Sequence, residues 1–351
     1  EGRIEDIREC IGCNICVSGD RTYTPIRCTQ NPTMGEEWRK GWHPERIPPA
    51  VSGDAVLIVG GGPAGLECAR ALGQRGYPVT LAEASEAFGG RVRSESRLPG
   101  MASYQRVADH RLTAFHKLPN VETYLASELG AEDAIAFGAP HIVLATGAEW
   151  RRDGVGQRQR LPLPIDDAAP AIYTPDDIMA GQAPVEVPVL VYDDDGYIMA
   201  GLIAEKLALD GRDVTLMTPD AMVSLWTDNT LEQHAIQRRL LEAGVTIMAN
   251  RRLVALQGDV RHACVYTGAE AGLATAAVVL VTSRISNDEL WLELQTRAKA
   301  GDVPWRSLTR IGDALAPATI AHAVYAGHRY AREFDAPAVE GTPYKRERVT
   351  V

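Results

Sequence analysis

The sequence predicts an α/β protein in which two doubly wound, Rossmann-like domains follow a cysteine-rich segment, one domain being inserted in the other. Residues 54–85 and residues 187–217 carry this prediction, because each stretch has the pattern of a strand, a turn, a helix and a second strand. Near the end, "LTRIGDALAPATIAHAVYAGHRYARE" has the pattern of a further strand and a long helix. We therefore expect the first domain to resume after the second.

The chain has 351 residues, which is too long for one ordinary hydrophobic core. Shifts in sequence pattern along the chain predict where the domains begin and end. We expect a cysteine-rich segment over 1–48, a first dinucleotide-binding domain over 49–170 plus 287–335, a second domain over 171–286, and a C-terminal tail over 336–351.

Four cysteines lie close together in "ECIGCNICVSGDRTYTPIRCTQN", at Cys10, Cys13, Cys16 and Cys28. Three thiolates at three-residue intervals, with a fourth from a loop that folds back, are the pattern of iron–sulfur ligation. Zinc is the alternative, but zinc sites more often use two separated pairs or add a histidine, and no histidine lies within this run. The spacing therefore favours a [4Fe-4S] cluster held by residues 1–48.

A glycine-rich turn follows the first predicted strand of the first domain, and an acidic residue follows the second strand. In such a unit the glycines allow a tight turn, a close approach of the pyrophosphate and close packing of helix on strand. The helix N-terminus faces the phosphates, and the acid binds the ribose hydroxyls. The predicted nucleotide-binding residues here are Gly60, Gly62, Pro63, Ala64, Gly65, Glu83 and Ala84.

Three further stretches extend this predicted site. "FGGRV" supplies a second glycine turn and an arginine placed for a phosphate, and "HIVLATGAEW" ends a strand in a turn that returns to the nucleotide. The Gly-Asp pair near the end has the position at which flavoproteins with two dinucleotide domains contact the ribityl or pyrophosphate part of the cofactor. The residues are Gly90, Arg91, Val92, Thr146, Gly147 and Asp313.

The second domain repeats the strand–turn–helix–strand plan without the glycines. Its turn contains Asp193, Asp194 and Asp195, whose carboxylates would repel a pyrophosphate and block its approach to the backbone. We therefore predict a domain that keeps the fold and has a degenerate NAD(P)-type site.

Composition limits the possible partners. The net charge is -10, and no basic stripe indicates nucleic acid. No apolar run is long enough to cross a bilayer, and the cysteine pattern is typical of a cytoplasmic enzyme. The two remaining cysteines, Cys68 and Cys264, are predicted to be small buried hydrophobic residues.

Nearly the whole chain resembles one family, the iron–sulfur flavoprotein amine dehydrogenases that act on trimethylamine, dimethylamine or histamine and are related to 2,4-dienoyl-CoA reductase. The matching stretches include "CIGCNICVS", "VLIVGGGPAGLECARAL", "LVYDDDGYIMAG", "SLWTDNTLEQHAIQRRL", "IGDALAPATIAHAV" and "PYKRE". The aspartate run and the "WTDNT" segment are most similar to the histamine and dimethylamine members. By this resemblance, the chain corresponds to the C-terminal portion of such an enzyme.

The resemblance implies a function for this portion. In the family, a covalent FMN in a barrel domain oxidises the amine, and single electrons pass through the [4Fe-4S] cluster to an electron-transferring flavoprotein. The glycine-rich domain holds ADP in a structural role, and the enzymes are homodimers. The cysteines and nucleotide-site residues named above would take the family's roles.

This sequence departs from the family in two places. It contains no barrel pattern and no cysteine for FMN, so the barrel is expected elsewhere in a longer chain or in a separate subunit. His110 stands in a helical stretch where the family tends to have tyrosine, which puts the contact with the electron-accepting partner in doubt.

Two other hypotheses remain open at this stage. The chain could be an FAD-containing, NAD(P)H-dependent reductase of the 2,4-dienoyl-CoA reductase type, which the aspartate turn argues against. It could also be a scaffold that binds ADP and a metal only for folding. The motif does not separate ADP from FAD, because both share the adenosine diphosphate end.

Overall fold

The computed structural model describes residues 2, 4–37, 42, 46–185, 187–301 and 303–336. Apart from Ala336, the predicted C-terminal tail and its "PYKRE" motif lie outside these residues. The described residues form two compact units. The first comprises residues 1–96, 103–148 and 286–351, and the second comprises 97–102 and 149–285.

The first unit is built on a parallel five-stranded sheet. Its order is β15-β4-β1-β2-β3, where β1 is Val56–Val59, β2 Val79–Ala82, β3 Val121–Tyr124, β4 His141–Leu144 and β15 Ser307–Arg310. Its helices are α1 (Ile15–Arg21), α2 (Pro63–Arg75), α3 (Arg91–Glu95), α4 (Arg106–Phe115), α5 (Ala131–Phe137), α9 (Glu289–Ala300) and α10 (Ile320–Glu333).

Both faces of this sheet are covered, which explains why β1 is a continuous apolar run. Val56 and Ile58 pack in a core that includes residues of α2 and α10, whereas Leu57 and Val59 pack in a second core with residues of α5 and α9. The chain order reverses between β1 and β4, so the ends of these two strands form the crevice in which such sheets bind ligands.

The second unit also contains a parallel five-stranded sheet, in the order β6-β13-β7-β8-β9. An antiparallel sheet of β10, β11 and β12 packs against it. The elements are β6 (Ala171–Tyr173), α6 (Pro175–Met179), β7 (Val189–Asp193), α7 (Met199–Leu209), β8 (Val214–Met217), α8 (Gln233–Glu242), β9 (Thr246–Met248), β10 (Arg251–Gln257), β11 (Asp259–Cys264), β12 (Glu270–Leu273) and β13 (Ala277–Val281).

Two short strands, β5 (Ala148–Trp150) and β14 (Arg284–Ser286), lie where the chain passes between the units. The predicted fold class is confirmed: both units have the parallel α/β plan that the strand–turn–helix–strand patterns indicate. Strand β7 begins at Val189 instead of residue 187, because Pro188 has no amide hydrogen for the ladder.

No helix in the described ranges combines the length and the apolar character needed to cross a membrane.

Candidate nucleotide site and cysteine loop

The glycine-rich turn after β1 is shaped by contacts that only glycine permits. Gly60 has a φ of +107°, and a Cβ there would lie 2.3 Å from the carbonyl oxygen of Ala145. A Cβ on Gly65 would lie 1.9 Å from the carbonyl oxygen of Gly60, so α2 packs directly on the turn. Gly62 is different, because its nearest neighbour would be the Cα of Gly90 at 4.0 Å. Gly62 therefore faces open space where a pyrophosphate could approach the backbone.

Helix α2 begins directly at this turn. Gly62 caps it in an extended conformation, and Pro63 occupies the first turn, where no amide hydrogen is needed. The first amide groups of the helix have no partner within the helix, which makes this end a site for an anion. Ala64 lies against Gly312, so the Gly-Asp pair after β15 meets the same helix end.

Glu83 lies at the carboxyl end of β2 and is already oriented towards the turn. Its Oε2 accepts a hydrogen bond from the amide of Gly61 at 2.6 Å, and its Oε1 accepts from the amide and hydroxyl of Ser85 at 2.8 and 2.7 Å. Ala84 lies between these residues in the sequence. The predicted ribose-binding carboxylate therefore stands beside the glycine turn.

The three predicted site residues of the "FGGRV" turn have different surroundings. Gly90 has a φ of +50° and approaches Gly62 across the crevice. Arg91 donates to the carbonyl oxygen of Ala148 at 2.6 Å and lies 3.9 Å from Glu95. Val92 is 1% exposed and is packed inside the unit, so its backbone is the part that can face a ligand.

Hydrogen bonds to Asn287 hold the Ala-Thr-Gly turn after β4 in place. The sequence motifs did not identify Asn287. Thr146 donates from its hydroxyl to the carbonyl oxygen of Asn287 at 2.6 Å, and Asn287 donates from its side chain to the carbonyl oxygen of Thr146 at 3.2 Å. The Asn287 amide donates to Gly147 at 3.0 Å. The Asn-Asp pair before α9 is a turn signal, but it does not reveal a partner so distant in the chain.

Asp313 accepts hydrogen bonds that hold the segment before α10 in place. Its Oδ1 accepts from the amide of Ala318 at 3.0 Å, and its carbonyl oxygen accepts from the Ser286 hydroxyl at 2.8 Å. The predicted nucleotide residues thus follow β1, β2, β4 and β15 at one edge of the first sheet.

In the aspartate turn of the second unit, two carboxylates accept hydrogen bonds from backbone amides. Asp193 turns inward, and its Oδ1 accepts from the amides of Gly196 and Asp195 at 2.8 and 3.2 Å. Asp194 accepts from the amides of Arg158 and Gln159 at 3.1 and 3.0 Å. The carboxylate of Asp193 therefore bonds to the turn's own amides, whereas Asp194 bonds to a segment 35 residues earlier in the chain.

Burial raises the pKa of Asp193 to about 7. An unfolded aspartate releases its proton near pH 4, so between these values the folded state binds a proton that the unfolded state lacks. Lowering the pH from about 8 to about 5.5 therefore increases the free energy of unfolding through this group.

We expect Asp193→Asn to reduce this pH dependence. The amide keeps an acceptor for Gly196 and Asp195 but cannot titrate. The measurement is the Tm of the second unit at both pH values, with Asp210→Asn as the control, because that surface carboxylate pairs with Lys206. Equal pH slopes for wild type and Asp193→Asn would contradict the prediction.

The four cysteines of the loop before β1 are all free thiols. Cys13 is buried, Cys10 is exposed, and Cys16 and Cys28 are half-buried. The Sγ of Cys13 lies 3.1 Å from the Oγ1 of Thr29. Burial raises the pKa of the Cys13 thiol, and Cys28 and Cys16 raise it further.

Backbone geometry of the loop also follows from its sequence. Gly12 has a φ of +73° and donates from its amide to the Sγ of Cys10 at 3.3 Å. Asn14, with a φ of 50°, precedes α1, which begins one residue before Cys16.

Within the described ranges, no group of three or more histidine, cysteine, aspartate or glutamate side chains forms a site that could hold a metal ion.

The other two cysteines differ from each other. Cys68 is fully buried in α2, as predicted. The prediction for Cys264 is wrong, because this residue ends β11 and is half-exposed. Hydrogen bonds from Thr267 and Tyr266 lower the pKa of its thiol to about 7.

His110 lies on α4 beside the start of the cysteine loop. Its Nε2 accepts a hydrogen bond from the Nε of Arg8 at 3.3 Å. Burial, followed by the charge of Arg8, lowers the pKa of His110 to about 4. The residue is therefore a neutral acceptor at neutral pH.

Fold and site together define a protein of two Rossmann-like α/β units, the first of which carries a loop with four free cysteines. Residues 58–127 match the model of an NAD(P)-binding Rossmann-like domain, and residues 173–265 match that of an OYE-like second alpha/beta domain. A dimethylamine dehydrogenase of Hyphomicrobium is 39% identical over 99% of this chain and 51% of its own.

Two solved structures match this fold over nearly the whole of this chain. Histamine dehydrogenase from Rhizobium sp. 4-9 is 51% identical, with a TM-score of 0.95 over 100% of this chain and 54% of its own. The 6-hydroxypseudooxynicotine amine oxidase of Pseudomonas geniculata is 43% identical, with a TM-score of 0.90 over 95% and 50%. The chain belongs to the family of the dimethylamine and histamine dehydrogenases and spans about half the length of these relatives.

Proposed function

We propose that this chain is the electron-transfer portion of an amine dehydrogenase. A covalent FMN in a barrel domain or subunit would oxidise the amine, and a [4Fe-4S] cluster would carry single electrons from it to an electron-transferring flavoprotein. The similarity to the dimethylamine and histamine dehydrogenases supports an amine as the substrate class. The reduced cysteines fit the cytoplasm, and the family resemblance supports a homodimer.

The cysteine loop fits such a cluster. It offers four free thiols, of which Cys13 is buried and has its pKa raised by Cys16 and Cys28 as well as by burial. A cuboidal cluster binds each thiolate at a different iron atom, so its ligands stand farther apart than those of a single metal ion. Cys10, Cys13, Cys16 and Cys28 would hold it, and the cluster would supply one-electron redox chemistry.

The first unit would hold ADP in a structural role. The helix end at Gly62 would face the phosphates, and Glu83 would accept hydrogen bonds from the ribose. Arg91 follows Gly90, which approaches Gly62, and its guanidinium donates to the carbonyl oxygen of Ala148. These groups bind and orient a nucleotide, and none of them needs to react.

One observation favours this function over a nicotinamide-dependent reductase. The amides of Asp195 and Gly196 in the aspartate turn donate to Asp193, so they would not be available to bind a pyrophosphate of NAD(P)H. A chain that passes electrons to a flavoprotein has no need of NAD(P)H.

The first experiment identifies the bound nucleotide. We expect the full-length protein, purified without air and denatured, to release ADP and no FAD. Addition of the amine should then reduce the cluster, which electron paramagnetic resonance detects. Release of FAD together with cluster reduction by NADPH would overturn the proposal and support the reductase alternative.

A further inference from the structure

A buried chain of polar side chains joins the cysteine loop to helix α2. Its members are Glu67 on α2, Arg111 on α4 and Gln30 in the loop, and each is 3% exposed or less. The Nε of Arg111 donates to the Oε2 of Glu67 at 2.8 Å. The other two guanidinium nitrogens donate to the side-chain and backbone oxygens of Gln30 at 3.2 and 3.3 Å. One guanidinium therefore bridges two parts of the chain.

The negative charge of Glu67 offsets the energetic cost of burying the Arg111 guanidinium. Its carboxylate also accepts two hydrogen bonds from Arg70 and one from the Nδ1 of His328 at 2.9 Å. Burial by itself would raise the pKa of Glu67, but Arg70 and Arg111 hold it well below its usual range. Burial lowers the pKa of Arg111 to about 10, so both partners are charged at neutral pH.

Gln30 closes the cysteine loop at its base. It comes two residues after Cys28, and its Nε2 donates to the carbonyl oxygen of Glu9, the residue before Cys10, at 3.1 Å. The same nitrogen donates to the carbonyl oxygen of Arg106 at 3.3 Å. Gln30 thus ties the first and last cysteines of the loop to each other and to α4.

Other contacts of the loop with this part of the fold are closer to solvent. Arg106 donates to the carbonyl oxygen of Cys10 at 3.2 Å, and Ser103 donates to that of Ile11 at 2.9 Å. Hydrogen bonds in a dry interior hold geometry more firmly than exposed ones, because no water competes for either partner. The Glu67–Arg111–Gln30 chain is therefore the rigid anchor.

We propose that Arg111 is a positioning residue for the iron–sulfur site. Through Gln30 it fixes the spacing of the cysteine thiolates. Through Glu67 it fixes the position of the cysteine loop relative to α2, the helix whose first turn would face the nucleotide. This inference rests on the cluster of the proposed function. Hydrogen bonding and solvent exposure around the sulfur atoms set the reduction potential of such clusters, so a looser loop changes the potential.

The test is Arg111→Lys in the full-length protein purified without air. Lysine keeps the charge but lacks the planar fork that reaches Glu67 and both oxygens of Gln30. We expect a shifted midpoint potential, a broadened electron paramagnetic resonance signal, and about tenfold faster release of iron to a chelator, as the loss of one charged hydrogen bond gives.

Arg75→Lys is the matched control. Arg75 is a buried arginine on α2, the helix that carries Glu67, and it donates to carbonyl oxygens of Pro48 and Ala331 and not to Gln30. It should lower the Tm without changing the cluster potential. Gln30→Met provides a second variant that removes the side-chain hydrogen bonds of Gln30 while leaving Arg111 and Glu67 paired, and we expect the same spectroscopic shift from it.

The outcomes separate this inference from the proposed function. Wild-type protein without iron and sulfide would overturn both. A wild-type cluster whose potential and signal are the same in Arg111→Lys, Gln30→Met and Arg75→Lys would overturn the positioning role and leave the proposed function intact.

Discussion

Replacing Cys13 with serine is expected to remove the iron–sulfur cluster while leaving the nucleotide unit folded. Cys13 is the most buried of the four loop cysteines, and its thiol lies within reach of Cys16 and Cys28. A serine hydroxyl is a poor ligand for iron compared with a thiolate, so one corner of the cluster would lose its protein ligand. Iron content should fall by about tenfold or more, since even changes beyond the ligands cost that much.

Iron, acid-labile sulfide and visible absorption of the anaerobically purified, full-length protein measure this effect. The matched control is Cys264→Ser, which makes the same chemical change at a half-exposed thiol of the second unit. Equal iron content in the two variants would show that the loop cysteines do not hold the cluster. The released nucleotide should be the same in both, because the glycine turn is untouched.

Two glycines three residues apart are expected to differ in how much their replacement by alanine destabilises the fold. Gly65→Ala places a methyl group 1.9 Å from the backbone oxygen of Gly60, so α2 must move away from β1. Overpacking of this kind costs about 3 kcal/mol or more when the obstacle is backbone. Gly62→Ala places its methyl group 4.0 Å from the nearest atom and so leaves the fold unstrained.

The same Gly62 methyl group would stand where the pyrophosphate approaches the turn. We therefore expect Gly62→Ala to keep a near-wild-type Tm and to lose most of the bound nucleotide. Gly65→Ala should lower the Tm and also lose the nucleotide. Differential scanning calorimetry and chromatography of the released nucleotide measure the two effects separately. Nucleotide retained at the wild-type level in Gly62→Ala would place the phosphates elsewhere.

Short sequence patterns were enough to predict the fold and to select most residues of the candidate site. Strand β1 is recognisable because it is apolar on both faces, and α2 because glycine precedes it and Gly76 follows it with a φ of +100°. The acid after β2 needed only its spacing from the glycines. Motifs of this kind succeed because the residues that make the contact lie within one strand–turn–helix unit.

Other features depend on partners far apart in the chain. Asn287 pins a turn 141 residues away, and its Asn-Asp sequence predicts a turn and nothing more. The aspartate run indicated a lost nucleotide site, yet its carboxylates were expected to face a ligand. In the structure Asp193 and Asp194 bond to backbone amides, because a buried carboxylate is stable only when its oxygens are paired.

The sequence by itself determined the two α/β units, the glycine turn with Glu83, and the four-cysteine spacing, because short-range sterics and ligand geometry specify each of them. Only the tertiary structure decided how the cysteine loop is anchored. Arg111 meets Gln30 and Glu67 from 81 and 44 residues away, and His328 reaches Glu67 across 261 residues. Such a network forms because burial removes water and leaves each charge no partner except the ones that the fold brings to it.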